Sequence, residues 1–364
     1  MSHSRQTHSK DQKRKKVENL DLYLEILSVD SSSSREYTLS KLLSERFLTG
    51  KNHLDVFPVG VTPETPEGDG TENLLFSWGT PKIVFCSHID TVPPYFPPAL
   101  EVVTSDEGKD ELMVRGRGSC DAKGQVMAMF NACVELERRG CTDFGLLLLS
   151  GEETGSLGAK SFVKSGFKAD CVVVGEPTDN KMVSACKGTK LFELSFTGES
   201  CHSGYPEHGQ SAVELFVDFV NALRAVEFPQ DELLGKTTWN IGKLSSANPQ
   251  NILSPSLGCR IYFRTTFATD ALVSEVMRKL ASEIKGLKIK EFGGDTPMKY
   301  TVLDGFETTV AAFGSDAPQL SNFKRKILCG PGSILVAHTM EEYVEIKELE
   351  KATEQYIRMY EQLS

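Results

Sequence analysis

No run of this sequence approaches the ~18 to 20 consecutive apolar residues of a membrane span, so a helical integral membrane protein is not expected. Cysteine pairs in CxxC spacing are also missing. The nine cysteines, an odd number, are scattered, and Cys86, Cys133 and Cys171 fall inside apolar runs. They read as small buried hydrophobes in a reducing, cytoplasmic compartment. Neither phosphate-binding pattern, GxxxxGK followed by Ser or Thr, nor GxGxxG, occurs in the chain. Positive charge is in deficit: 40 Lys and Arg stand against 50 Asp and Glu, a formal charge of −10. That balance argues against nucleic acid or an anionic membrane as the main partner. No internal repeat is visible. Six of the first 16 residues are Lys or Arg, but no apolar stretch follows, so this is not a secretory signal. Residues 1–16 are expected to form a disordered basic tail.

What the chain does have is length. At 364 residues it exceeds the roughly 250 to 300 at which single cores stop growing, which implies two domains or one with a large insert. Val17, Leu20, Leu24 and Leu27 mark one face of a helix, a second helix should follow Ser34, and a Pro- and Gly-rich loop runs from Pro58 to Gly70. The runs Ile83–Cys86, Leu146–Leu149 and Cys171–Val174 predict strands buried on both faces, hence a partly parallel sheet. Between the first two lies an amphipathic helix with Val126, Met129, Phe130, Cys133 and Leu136 on one stripe. This is α/β architecture, a mixed sheet sandwiched by helices. From Lys187 the order becomes strand, helix, strand, strand, helix, strand, that of an inserted ferredoxin-like α+β module. The expected division is a first catalytic part over 17–186, the module over 187–294, and a second catalytic part over 295–364 ending in a helix from Ile346 to Leu363.

The chemistry concentrates at strand ends. Glu152 and Glu153 follow the apolar run Leu146–Leu149, and adjacent carboxylates at the end of a buried strand disfavour each other's ionisation. A divalent cation relieves that repulsion, with one glutamate as ligand and its neighbour free to handle the proton of a water. The competing reading is a solvated acidic turn opening a helix. His88 and Asp90, two apart on extended chain, share a face, so imidazole can bind an ion while Asp90 orients a ring. Asp121 sits in the glycine-rich turn RGRGSCDAKG (115–124), where backbone can approach a ligand closely. Glu176 follows the strand at Val172–Val174, and His338 follows the apolar run Ile334–Ala337. Each is ambiguous alone. Together, His88, Asp121, Glu153, Glu176 and His338 supply two imidazoles and three carboxylates, a set suited to two cations sharing one carboxylate. Mixed N and O ligation favours borderline ions such as Zn²⁺. Cations ~3.5 to 4 Å apart bring the ionisation of a shared water near neutral pH, and Glu152 is placed to take and deliver its proton.

Five ordered motifs, SHIDTVP (87–93), GRGSCDAKG (116–124), GEETG (151–155), GEP (175–177) and HTMEEY (338–343), resemble those of the M20 metallopeptidases and aminoacylases. That co-catalytic zinc family contains acetylornithine deacetylase, succinyl-diaminopimelate desuccinylase, aminoacylase and glutamate carboxypeptidase. The resemblance runs from about Asp21 to the C-terminus. It implies that His88 and Glu176 bind one zinc, Glu153 and His338 the other, with Asp121 bridging; cobalt or manganese could replace zinc. Glu152 would be the general base and acid, Asp90 the carboxylate behind a histidine ligand, and the Asp121–Ala122 peptide would be cis. The module would be a lid and homodimerisation domain. His202 in HSG (202–204) would stabilise the tetrahedral oxyanion in a partner's site. Asn251 and Arg264 would hold the substrate's carbonyl and carboxylate, and Gly314 and Ser315 would face the substrate.

Two segments depart from the family pattern, Ser200–His208 and the longer spacing from Asn251 to Pro255, and both lie in the lid. The expected activity is hydrolysis of a small N-acyl amino acid, closest to acetylornithine deacetylase. A dipeptidase or carboxypeptidase on short peptides is the near alternative, and a catalytically silent binding protein the distant one. A thiol hydrolase built on Cys201 and His202 is disfavoured because neighbours on extended chain point to opposite faces.

Overall fold

A computed structural model describes residues 19–60, 71–104, 108 and 110–364. The expected basic tail, the helix start at Val17 and most of the 58–70 loop lie outside these residues. Two compact units emerge: one ends its first stretch at Ser184 and adds Tyr300–Thr309 and Ser315–Ser364, the other comprises Ala185–Lys299 and Val310–Gly314.

The first unit is built on a six-stranded mixed sheet in the order His53–Pro58, Glu72–Trp78, Phe144–Leu149, Ile83–His88, Ala169–Val174, Phe323–Leu328. The last four of these pair parallel, and the first two add antiparallel at one edge. Every residue of Ile83–His88 and Phe144–Leu149 is buried, which explains why both read as unbroken apolar runs without alternation. The Lys123–Arg138 helix packs on these two strands and against the Ile346–Leu363 helix. Its stripe of Val126, Met129, Phe130, Cys133 and Leu136 is buried, and Gly140, at φ +78°, terminates the chain's helical course. The Ile346–Leu363 helix opens on a capping box, in which Glu345 and Glu348 satisfy each other's end of the first turn. All nine cysteines are free thiols, and Cys86, Cys133 and Cys171 are buried. Among the described residues no helix is long and apolar enough to cross a membrane.

The second unit has the strand order Thr238–Ser245, Ser256–Thr265, Gly188–Thr197, Leu287–Phe292, all antiparallel, with helices Ala212–Arg224 and Asp270–Glu283. Numbered within the unit, this is the order 2-3-1-4 of a ferredoxin-like sheet. Alternation is clean on Ser256–Thr265: Leu257, Cys259, Ile261 and Phe263 enter the core, so Arg264 lies on the opposite face.

One packing detail frames the turn that carries the glutamate pair. Gly158 N–H donates to Ser150 O at 2.8 Å, and Asn73 closes the junction by donating to Gly158 O at 2.9 Å while accepting from Ser150 N–H at 3.1 Å. A methyl group at Gly158 would stand 2.3 Å from Ser150 O and 2.5 Å from Asn73 Oδ1. Gly158→Ala is therefore expected to lower stability by ~1 to 3 kcal/mol through overpacking, read as a lower urea midpoint at unchanged slope. A midpoint equal to that of the parent would show that the junction yields without cost.

Candidate metal centre

The site lies within the first unit and is assembled from five chain segments. His88 is the last residue of a central parallel strand, Glu152 and Glu153 follow the neighbouring strand, and Glu176 follows the strand on the other side. These are the carboxyl ends of parallel strands, where an open α/β sheet leaves a crevice. Asp121 stands in the turn before the Lys123–Arg138 helix, and the Asp121–Ala122 peptide is cis, as the resemblance implied. His338 departs from the expectation that each ligand follows a strand. Residues 334–338 are turns, Leu335 is 84% exposed, and His338 itself adopts φ +63°. The apolar run Ile334–Ala337 is therefore not a buried strand; the last strand of the sheet ends at Leu328, and a loop carries the chain back to the crevice.

Three groups of side chains come within 4.8 Å of one another: His88, Asp121 and Glu176; Asp121, Glu153 and His338; and His88, Glu152 and Glu153. Asp121 faces two ways. Its Oδ1 lies 3.1 Å from His88 Nε2 and its Oδ2 3.3 Å from His338 Nε2, while His338 Nε2 is 2.9 Å from Glu153 Oε1. Two ligands ~2.1 Å from one tetrahedral ion stand roughly 3.4 Å apart, so these separations suit shared coordination.

Asp90 is buried and central to the arrangement. His88 Nδ1 lies 2.9 Å from the Asp90 carbonyl and 3.4 Å from its carboxylate, which turns Nε2 toward Asp121. The Asp90 carboxylate also accepts the backbone N–H of Glu152 at 3.0 Å and of Glu153 at 3.1 Å, and the Ser33 hydroxyl at 2.9 Å. One side chain thus orients a histidine and holds the turn that presents both glutamates. The HxD spacing pointed to the first task; nothing local in the sequence pointed to the second.

Charge in the site is unbalanced toward acid. Burial raises Glu152 well above the ordinary carboxylate range, with Asp316, Glu153 and Asp90 adding to it and His88 opposing. Burial does the same at Glu176, with Glu152 and Asp121 adding. Asp121 is the exception: burial would raise it, but hydrogen bonds from His338 and His88 pull it below its usual value. The carboxylates of Asp121 and Glu153 push the half-exposed His338 imidazole up to about 10. At neutral pH such a cluster favours protons or cations on its carboxylates. The donor set, two imidazoles and at least three carboxylates in overlapping groups, fits a pair of divalent cations.

Sequence reasoning missed Asp316, which is buried, is raised to about 7 by burial and by Asp90, and acts electrostatically on Glu152 and Glu176. Its signal was its place beside Ser315 in FGSDA (313–317). Ser315 is buried, and its hydroxyl accepts the Ala317 N–H at 3.3 Å. The other residues predicted to contact substrate belong to the second unit. His202 and Asn251 sit on paired loop segments, with His202 bridged to Ile252 and Ser203 N–H donating to Asn251 O at 3.0 Å. Arg264 lies near the end of its strand with its guanidinium 4.9 Å over the Tyr262 ring, and Gly314 is at the unit's margin.

Residues 84–362 match the model of peptidase family M20/M25/M40. The chain belongs to that family. A probable carboxypeptidase of Aspergillus flavus is 32% identical over 374 residues, covering 93% of this chain and 89% of the relative. Among solved structures, a tripeptidase of Staphylococcus aureus superposes with a TM-score of 0.78 at 20% identity, covering 94% of this chain and 97% of that one. A dinuclear metal-binding M20 peptidase of Bacillus subtilis gives a TM-score of 0.64 at 13% identity, covering 94% and 96%. At these identities the two structures speak to the fold alone. The family member described here is a peptidase or amidohydrolase by kinship; closeness to acetylornithine deacetylase finds no support in these relatives.

Proposed function

We propose that this M20 member is a two-cation exopeptidase that hydrolyses the amide bond next to the free carboxylate of a short peptide. The observation that carries the reading is the double-facing Asp121, with an imidazole and a further carboxylate on each side and Glu152 near His88 and Glu153. His88 and Glu176 would hold one cation, Glu153 and His338 the other, and Asp121 both. Zinc suits the mixed N and O donors, with cobalt or manganese as substitutes. When bound, the pair supplies Lewis-acid polarisation and an ionisable water. Glu152 takes up a proton from the attacking water and delivers it to the departing amine nitrogen. Its burial among carboxylates raises its proton affinity above that of an ordinary glutamate, which suits a group that must take up a proton and return it. Asp90 fixes the backbone that presents Glu152, and would keep His88 turned toward the cation.

The preference for peptides over N-acyl amino acids rests on the carboxypeptidase name of the fungal relative. The roles of His202 at the oxyanion, of Asn251, Arg264, Gly314 and Ser315 at the substrate, of the second unit in homodimerisation, and of the cytoplasm as the setting rest on the family resemblance. A screen of purified protein loaded with Zn²⁺, Co²⁺ or Mn²⁺ would test the reading, using dipeptides, tripeptides, their C-terminally amidated forms, N-acetylornithine and other N-acyl amino acids. Free peptides should turn over, and amidation should lower kcat/KM at least about tenfold, as expected for loss of a charge-assisted hydrogen bond. Turnover confined to N-acyl amino acids would replace this reading with a deacylase.

A further inference from the structure

Glu342 and Arg117 form an ion pair sealed from solvent, at 0% and 1% exposure, and neither belongs to the ligand set. Buried ion pairs are weak contributors to stability, since desolvation offsets their attraction, so their retention calls for another reason. Here the reason is visible in what the pair touches. Glu342 Oε1 accepts three backbone N–H groups from a single turn: Gly118 at 2.9 Å, Cys120 at 3.1 Å and Asp121 at 3.0 Å. Its other oxygen takes Arg117 Nη1. The Glu342 carbonyl accepts Gly116 N–H at 3.1 Å, and the next residue, Tyr343, is in strand register with Arg115. Arg117 Nε in turn donates to Pro94 O at 3.2 Å, and its guanidinium lies 5.2 Å over the Phe96 ring.

Three segments that carry site residues thus meet at one buried ion pair, two of them at the Glu342 carboxylate and the third, through Pro94 and Phe96, at Arg117. Residues 88–96 begin with His88 and Asp90, the 116–121 turn ends in Asp121, and 338–342 begins with His338, itself in a turn. Asp121 and His338 come from elements more than 200 positions apart in the chain, and His338, half-exposed, has little packing of its own. We infer that Glu342 is a positioning residue, whose carboxylate, seated on the Gly118–Asp121 amides and on Arg117, holds Asp121 and His338 at the separation that lets them share a cation. This rests on the two-cation reading.

The test is a Zn²⁺ titration of the metal-stripped full chain by calorimetry, with thermal midpoints measured on the same metal-free samples, for the parent, Glu342→Gln and Arg117→Lys. The parent should take up two cations. Each variant should bind one of the two about 10- to 100-fold more weakly, the range found when a group behind a metal ligand is altered, and excess Zn²⁺ should restore kcat. Variants that keep both parental affinities would overturn the inference. Metal-free variants that both unfold below the assay temperature would overturn it too, because the pair would then be holding the fold and not the site. A parent that binds fewer than two cations would instead sink the two-cation reading and take the inference with it; that outcome shows in the parent arm alone.

Discussion

Glu152→Gln is expected to lower kcat by a factor of ~10² to 10⁴, the usual contribution of a general acid–base group, while metal content stays at the parental level. Glutamine preserves the volume and the backbone N–H that Asp90 accepts, so the turn at 151–156 keeps its shape. What is lost is a group that can accept and return a proton. Neighbouring Glu153 cannot take over, since it lies 2.9 Å from His338 and belongs with that histidine and Asp121. Elemental analysis beside steady-state rates would check both halves of the expectation. Activity within a few fold of the parent would mean that Glu152 is a bystander and that another group moves the proton, and a loss of metal would mean that it is a ligand.

Asp121→Asn should be more damaging to metal binding than any other single substitution in the site, because Asp121 is the one residue common to the two groups proposed to hold the cations, that with His88 and Glu176 and that with Glu153 and His338. The amide keeps the shape but removes the charge that faces His88 and His338 together. Loss of cation-supplied charge stabilisation is worth several kcal/mol, so a rate decrease on the order of 10³-fold or more is expected, with fewer than two cations retained. The control is Glu176→Gln, which touches one group and should leave one cation bound. If the two variants lost metal to the same extent, Asp121 would not be shared. Circular dichroism on both proteins would confirm that the sheet survives.

The strands at Ile83–His88, Phe144–Leu149 and Ala169–Val174 were legible because burial on both faces leaves an unbroken apolar run, a pattern that requires no knowledge of neighbours. The helices at Lys123–Arg138 and Ile346–Leu363 were legible because a single buried stripe imposes a helical period. The same reasoning failed at Ile334–Ala337, where four apolar residues form turns and, of the four, Leu335 is exposed and Ala337 alone is buried. The run itself is hydrogen-bonded locally, Val336 N–H donating to Ser333 O at 3.2 Å, while the chain is tied to distant segments on either side of it, at Gly332 O by Asp179 N–H and at Glu342 by the Gly118–Asp121 turn. Asp90 shows a related limit. Its spacing from His88 foretold a link to the imidazole ring, whereas its hold on the amides of Glu152 and Glu153, 62 and 63 positions away, depends on two strands lying side by side.

By itself, the sequence determined which residue types stand at which strand ends, and therefore that His88, Asp121, Glu153, Glu176 and His338 were candidate ligands beside a free Glu152. Those choices are local, set by periodicity and by chemistry carried on single side chains. The tertiary structure decided which oxygen of Asp121 faces which histidine, that Asp90 serves two segments at once, and that the Glu342–Arg117 pair ties together residues 88–96, 116–121 and 338–342. Separations of about 3 Å between groups more than 200 residues apart in the chain arise from packing a whole sheet and its loops, and no local pattern encodes them.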